Sequence, residues 1–212
     1  MQLYSYFRSS AAYRVRIALN IKGIDYSIIP VHLLKNGGEQ HGAVYRQINA
    51  SELVPTWVDD SVTLGQSMSI LEYLEERYSS PALLPFDYAE RAQVRSFAQA
   101  ICCDIHPLNN LRVLQYLVDE VGMDVKQKQQ WYQHWVEQGF QSLETQLTQS
   151  NGQFCFGQQP SFADCCLIPQ VYNALRFDIN LSKFSKIQSI YQHCMTIPAF
   201  IQAAPEQQVD AQ

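Results

Sequence analysis

Hydrophobic and polar positions follow two different rhythms along this chain, and the change of rhythm divides it. Residues 3–7 are a short aromatic-rich run that suits a buried strand. Over residues 11–22, Val15, Ala18, Leu19 and Ile21 make one broad apolar face, with Arg16 and Asn20 placed opposite, and Gly23 follows as a stop. Residues 26–31 read as a second strand. Thr56–Val58 and residues 62–64, separated by Asp59-Asp60-Ser61, read as a hairpin. Gly65-Gln66-Ser67 then opens a helix to about Tyr78, with Ile70, Leu71 and Leu74 apolar and Ser67 as its expected N-cap. The order strand, helix, strand, hairpin, helix predicts a small α/β layer with a mixed sheet.

Ser79-Ser80-Pro81 ends that pattern, and from Tyr88 onward the rhythm is helical with very little strand signal. The chain therefore reads as an α/β domain over residues 1–81, a linker near residues 81–86, and an all-helical domain over residues 87–212. In the second half, Ser161-Phe162-Ala163-Asp164 fits a capping box in its acidic form. Pro107 and Pro169 lie inside helical patterns and are expected to kink or interrupt them.

Composition narrows the function. With 47% hydrophobic residues among 212, the chain can bury a sizeable core. A net charge of −5 without a cluster of Lys and Arg gives no footprint for nucleic acid or an anionic membrane, which leaves small molecules as the expected partners. The six cysteines show no C-x-x-C spacing, so no metal site is expected. The N-terminus has no basic segment leading into an apolar stretch, and no run reaches the length of a membrane span, so a cytoplasmic protein with reduced thiols is expected.

Three short segments invite chemistry. Phe7-Arg8-Ser9-Ser10-Ala11 lies between the first strand and the first helix, where a hydroxyl beside unpaired N–H groups and the helix dipole favours an anion such as a thiolate. Leu53-Val54-Pro55-Thr56 precedes the hairpin; a cis bond there would leave the Val54 backbone to pair with an extended ligand peptide. Gln66-Ser67 opens another helix, where backbone N–H groups and the two side chains suit a carboxylate. Taken singly, each segment also reads as a plain cap or turn.

In this order the three segments resemble the thioredoxin-like domain of glutathione transferases. Tyr4-Ser5-Tyr6-Phe7-Arg8-Ser9-Ser10, Arg14-Val15-Arg16-Ile17-Ala18-Leu19 and Leu71-Glu72-Tyr73-Leu74-Glu75-Glu76 look like the zeta class of that superfamily, the maleylacetoacetate-isomerase family. Ile105-His106-Pro107-Leu108-Asn109-Asn110-Leu111 and the stretch from Leu167 to Phe177 are similar to its helical domain. The resemblance implies an N-terminal thioredoxin-like domain with a mixed sheet, an all-α C-terminal domain, an active site in the cleft between them, glutathione as cosubstrate, and a homodimer.

The resemblance also implies roles. Ser9 donates a hydrogen bond to the glutathione sulfur with Ser10 beside it, Val54 binds the cysteinyl backbone, and Gln66 and Ser67 take the γ-glutamyl end. Gln40 matches a position that contacts the glycyl end, with an exposed helix start as the equal alternative. Arg8 and Arg176 are implied as partners for a dicarboxylate substrate, with His106 and Asn110 lining the same pocket and His106 also implied as a glutathione contact. Two departures from the family are visible. Ala11 stands where the zeta motif reads Cys. His106 stands where animal members carry Gln, and Cys103 to Pro107 resemble bacterial maleylpyruvate isomerases, which have Arg at the place of Leu111. The implied reaction is glutathione-dependent cis–trans isomerisation of maleylacetoacetate to fumarylacetoacetate; the alternatives are a maleylpyruvate isomerase and a general glutathione-conjugating transferase. A non-catalytic glutathione-binding module is disfavoured because it would need no thiolate donor at Ser9, and a thiol reductase would need Cys there or at Ala11.

Overall fold

The computed structural model describes residues 1–211. The chain divides into two units, one made of Met1–Leu83 and the residues from Met195 on, the other of Leu84–Cys194.

The first unit is built on a four-stranded sheet of β1 (Gln2–Ser5), β2 (Ser27–Pro30), β3 (Thr56–Val58) and β4 (Thr63–Gly65), in the order β2-β1-β3-β4. β1 and β2 are parallel and the other pairs antiparallel, so the sheet is mixed as its pattern predicts. β1 is shorter than the run 3–7, because the Tyr6 and Phe7 carbonyls accept from Arg16 instead of continuing the ladder. Helix α1 (Ser10–Lys22) ends at Gly23, whose φ of 63° is the left-handed geometry that glycine adopts at low cost. Helix α2 (Ala43–Ile48) is too short for a periodic signal, and α3 (Ser67–Arg77) follows the hairpin. Leu3, Val15, Leu19, Trp57, Ile70 and Leu74 close the core under the sheet. Each such side chain contributes about 1.5–3 kcal/mol on full burial. At the far end of α1, the buried Lys22 ammonium donates to Glu75 at 2.7 Å and to the Tyr78 and Pro81 carbonyls, tying α1 to the end of α3.

One expectation about this unit is corrected, and α1 is covered on more sides than its apolar face alone requires. Arg16 and Asn20, opposite the apolar face of α1, are covered as well: every residue from Ala12 to Leu19 is buried and Asn20 is half-buried. The cause is α9 (Pro198–Ala203), which covers the second side of α1, with Arg16 Nε donating to the Ala203 carbonyl at 2.9 Å and Asn20 Nδ2 to the Ala199 carbonyl at 3.0 Å. The chain's end, expected with the helical domain, therefore clusters with the first unit.

The second unit holds α4 (Tyr88–Gln99), α5 (Leu111–Asp119), α6 (Val125–Leu147), α7 (Phe162–Arg176) and α8 (Ser185–Cys194). α7 is buried along almost its whole length, which its nearly continuous apolar sequence requires. Its N-terminus carries the expected capping box, with Asp164 Oδ2 accepting from both the Ser161 N–H and its hydroxyl at 2.8 Å. Pro169 does not interrupt α7, which runs unbroken through it. Pro107 behaves as expected: α4 passes into a π-helical turn at Ala100–Ile105, and a 3-10 turn at Pro107–Asn109 intervenes before α5.

Candidate functional site

Strand register gathers the first unit's suspect segments. Tyr4 pairs with Thr56 and Thr56 with Gly65, so the exit of β1, the entry to β3 and the exit of β4 share one end of the sheet. Ser5 pairs with Pro30, and the Val31 N–H donates to the Ser5 carbonyl at 2.8 Å, which brings the exit of β2 to the same end. The residues just beyond these strand ends are Arg8, Ser9 and Ser10, then Val54, then Gln66 and Ser67. Gln40 is tied in through a 3-10 turn, Glu39–His41, because the Glu39 N–H donates to the His32 carbonyl and the His32 N–H to the Glu39 carboxylate.

Ser9 is the N-cap of α1, its Oγ accepting from the Ala12 N–H at 3.2 Å. That bond occupies a lone pair, which leaves the hydroxyl proton to be donated elsewhere. Ser10 is the first helical residue and is buried. The Val54–Pro55 bond is cis, and Val54 is buried. Arg8 is half-buried over the Phe7 ring at 4.7 Å, and its Nε is buried without a hydrogen-bond partner. Gln40 is buried, unlike the exposed helix start held as its alternative; its Oε1 has no partner and its Nε2 lies 3.0 Å from His41 Nε2.

Ser67 is not the N-cap of α3. Gln66 holds that position at φ 64°, with no cap bond from its side chain, and Ser67 is the first helical residue. The Ser67 Oγ instead accepts from Arg14 Nη1 at 3.1 Å. Arg14 is a member of this group that periodicity did not single out. Its signal was a second charged residue on a helix otherwise apolar on that side.

In the second unit His106 and Asn110 come together one turn apart, with Asn110 Nδ2 3.4 Å from His106 Nε2, while Asn110 Oδ1 caps α5 by accepting from the Arg112 N–H. The π turn that leads into His106 rests on Gly139 of α6, where an added Cβ would collide with the Ile105 side chain. Asn109, which the motif names without a role, has its side-chain nitrogen and oxygen both buried without hydrogen-bond partners. Arg176 ends α7, exposed, with its guanidinium 4.9 Å over the Phe177 ring. Phe177 stacks on Tyr132 at 3.9 Å. Burial raises the Tyr132 hydroxyl's pKa, and the charge of Arg176 opposes that shift.

The sequence matches the glutathione S-transferase N-terminal domain over residues 8–77 and the C-terminal domain over residues 108–202. It is 51% identical over 209 residues to a probable maleylacetoacetate isomerase of Vibrio cholerae, covering 99% of this chain and 97% of that one. The chain belongs to the zeta-class glutathione transferase family. Among solved structures of the family, it superposes with a TM-score of 0.97 and 40% identity on the holo form of a maleylpyruvate isomerase, a bacterial zeta-class enzyme, over 100% of both chains. A maleylacetoacetate isomerase from Methylobacterium extorquens, with bound malonate and glutathione, superposes at 0.94 with 35% identity, again over 100% of both. The thioredoxin-like domain of this transferase is the first unit, and its helical domain supplies the second. No group of three or more His, Cys, Asp or Glu suited to a metal occurs among the described residues, and no helix there is long and apolar enough to cross a membrane.

Proposed function

We propose that this transferase isomerises maleylacetoacetate to fumarylacetoacetate with glutathione as cosubstrate, a step of tyrosine and phenylalanine breakdown, working as a cytoplasmic homodimer. The observation that carries the reading is Ser9: a hydroxyl at a helix N-terminus, its acceptor side held by Ala12, with a proton left to donate. Such a donor, aided by the N-terminal dipole of α1, lowers a thiol's pKa from about 8.5 toward neutrality.

Buried polar atoms fit the tripeptide: the Gln40 Oε1 has no partner and matches an amide N–H donor such as that of a glycyl end. Val54 would hold the cysteinyl backbone, and Gln66 with Ser67 the γ-glutamyl carboxylate. Glutathione supplies a thiolate that adds reversibly to the cis double bond, so that rotation about a single bond precedes its release. The protein orients that thiol through Ser9, with Ser10 adjacent, and balances the negative charge that builds on the substrate oxygen. Arg8 and Arg176 are proposed to take the substrate carboxylates, since a guanidinium matches a carboxylate in a planar, paired fashion. His106 and Asn110 would line the same site.

The second reading is a maleylpyruvate isomerase, favoured by His106 and by the close superposition on that enzyme, and opposed by Leu111. Wild type, Arg176→Lys and Arg176→Ala are to be assayed on maleylacetoacetate, maleylpyruvate and an uncharged chloro-aromatic acceptor. The expected result is a selective loss of about ten- to a hundred-fold in kcat/KM on the two dicarboxylates. Whichever dicarboxylate wild type prefers decides between the isomerases. Equal loss on all three would make Arg176 structural, and activity on the aromatic alone would make the protein a conjugating transferase.

A further inference from the structure

Arg14 is 2% exposed, yet its guanidinium makes one hydrogen bond, to Ser67 Oγ. Its Nε and Nη2 are buried without hydrogen-bond partners, and no ion pair reaches it among the described residues. A buried cation is costly unless it is paired, so two unspent guanidinium donors call for an anionic partner here. Its surroundings specify what completes it. Arg14 donates to Ser67, which leaves the Ser67 proton free to be donated onward. Ser67 opens α3, an eleven-residue helix whose N-terminus no side chain caps. A buried positive charge, a hydroxyl polarised by it and a helix N-terminus all favour an anion at this point.

We propose that Arg14 is a positioning residue for the γ-glutamyl end of glutathione: acting through Ser67, it supplies the charge that holds the α-carboxylate at the start of α3. The inference rests on the glutathione reading above. Arg14 belongs to the ligand's affinity and not to the fold's stability, which separates it from an ordinary buried arginine.

Binding of glutathione and of γ-aminobutyryl-cysteinyl-glycine, which lacks only that carboxylate, is to be measured calorimetrically for wild type, Arg14→Met and Arg14→Lys. Wild type is expected to lose about 10–100-fold in affinity when the carboxylate is removed. Arg14→Met should lose a similar factor for glutathione and little more for the truncated tripeptide, because both changes delete the same interaction. Arg14→Lys should recover part of the loss. The KM for glutathione should rise with kcat at saturation nearly unchanged, and ligand-free Arg14→Met should melt no lower than wild type. Equal losses for both tripeptides, unchanged glutathione binding, or an Arg14→Met that fails to fold would each overturn the inference. If wild type binds neither tripeptide, it is the glutathione reading that fails.

Discussion

Two arginines two positions apart on α1 have opposite environments. The Arg16 guanidinium is fully buried and meets four oxygens: Ser5 Oγ at 3.0 Å and the carbonyls of Tyr6, Phe7 and Ala203. Arg14, as deeply buried, meets one. The difference is between a charge whose donors are spent inside the fold and one whose donors are held in reserve. Arg16 clamps the turn that delivers Ser9 and fastens α9 beside it. Arg14 backs Ser67. Burial by itself therefore says little about what a charged residue does; the count of satisfied donors says much more.

The largest effect that would break this contrast is on Arg16. Arg16→Met strips several buried carbonyls of their donor, and a loss of about 3–5 kcal/mol is expected in urea or thermal unfolding. If Arg16→Met melts like wild type, satisfaction of donors is not what divides the two positions. Next comes Ser9, whose proton is likewise held in reserve. Ser9→Ala is expected to lower the rate near neutral pH by ~10²–10³, less if Ser10 substitutes, with partial recovery at high pH as the thiol ionises unaided. The absorbance of bound thiolate checks this: an identical titration in wild type and variant would remove Ser9 from the role.

A smaller effect tests the fully partnered class among carboxylates. Burial works against ionisation of Asp59, yet the N–H groups of Ser61 and Val62, the Tyr73 hydroxyl and the Trp57 indole hold its pKa down at about 2. Because the folded value lies below the unfolded one of about 3.9, its stabilisation is present above pH 4 and is lost as pH falls toward 2. At a partly exposed site screening trims the benefit. Asp59→Asn should lower Tm by about 2–4 °C at pH 7, with the gap to wild type closing toward pH 2. A gap that persists undiminished at low pH would assign the effect to shape and not charge.

The sequence by itself determined the local pieces. Gly23 stops α1 because a left-handed residue is needed there, Ser161 and Asp164 start α7 by closing a capping box, and Thr56–Val58 is a short β-prone run that Asp59-Asp60-Ser61 turns into a hairpin. The three segments at Ser9, Val54 and Ser67 were also legible as places where one element passes to the next, and strand register brings them to one end of the sheet. What needed tertiary structure was anything that depends on a partner far along the chain. Periodicity gave α1 a single apolar face, and α9, some 180 residues later in the sequence, covers the side opposite it. The same limit hid Arg14, because a helical pattern records whether a position is apolar and not how many of its donors the fold will satisfy. Ser67 was misread as a cap for a related reason: its hydroxyl had two possible partners, the N–H groups of its own helix and an arginine on another. Only the packing of α1 against α3 decided which one it met.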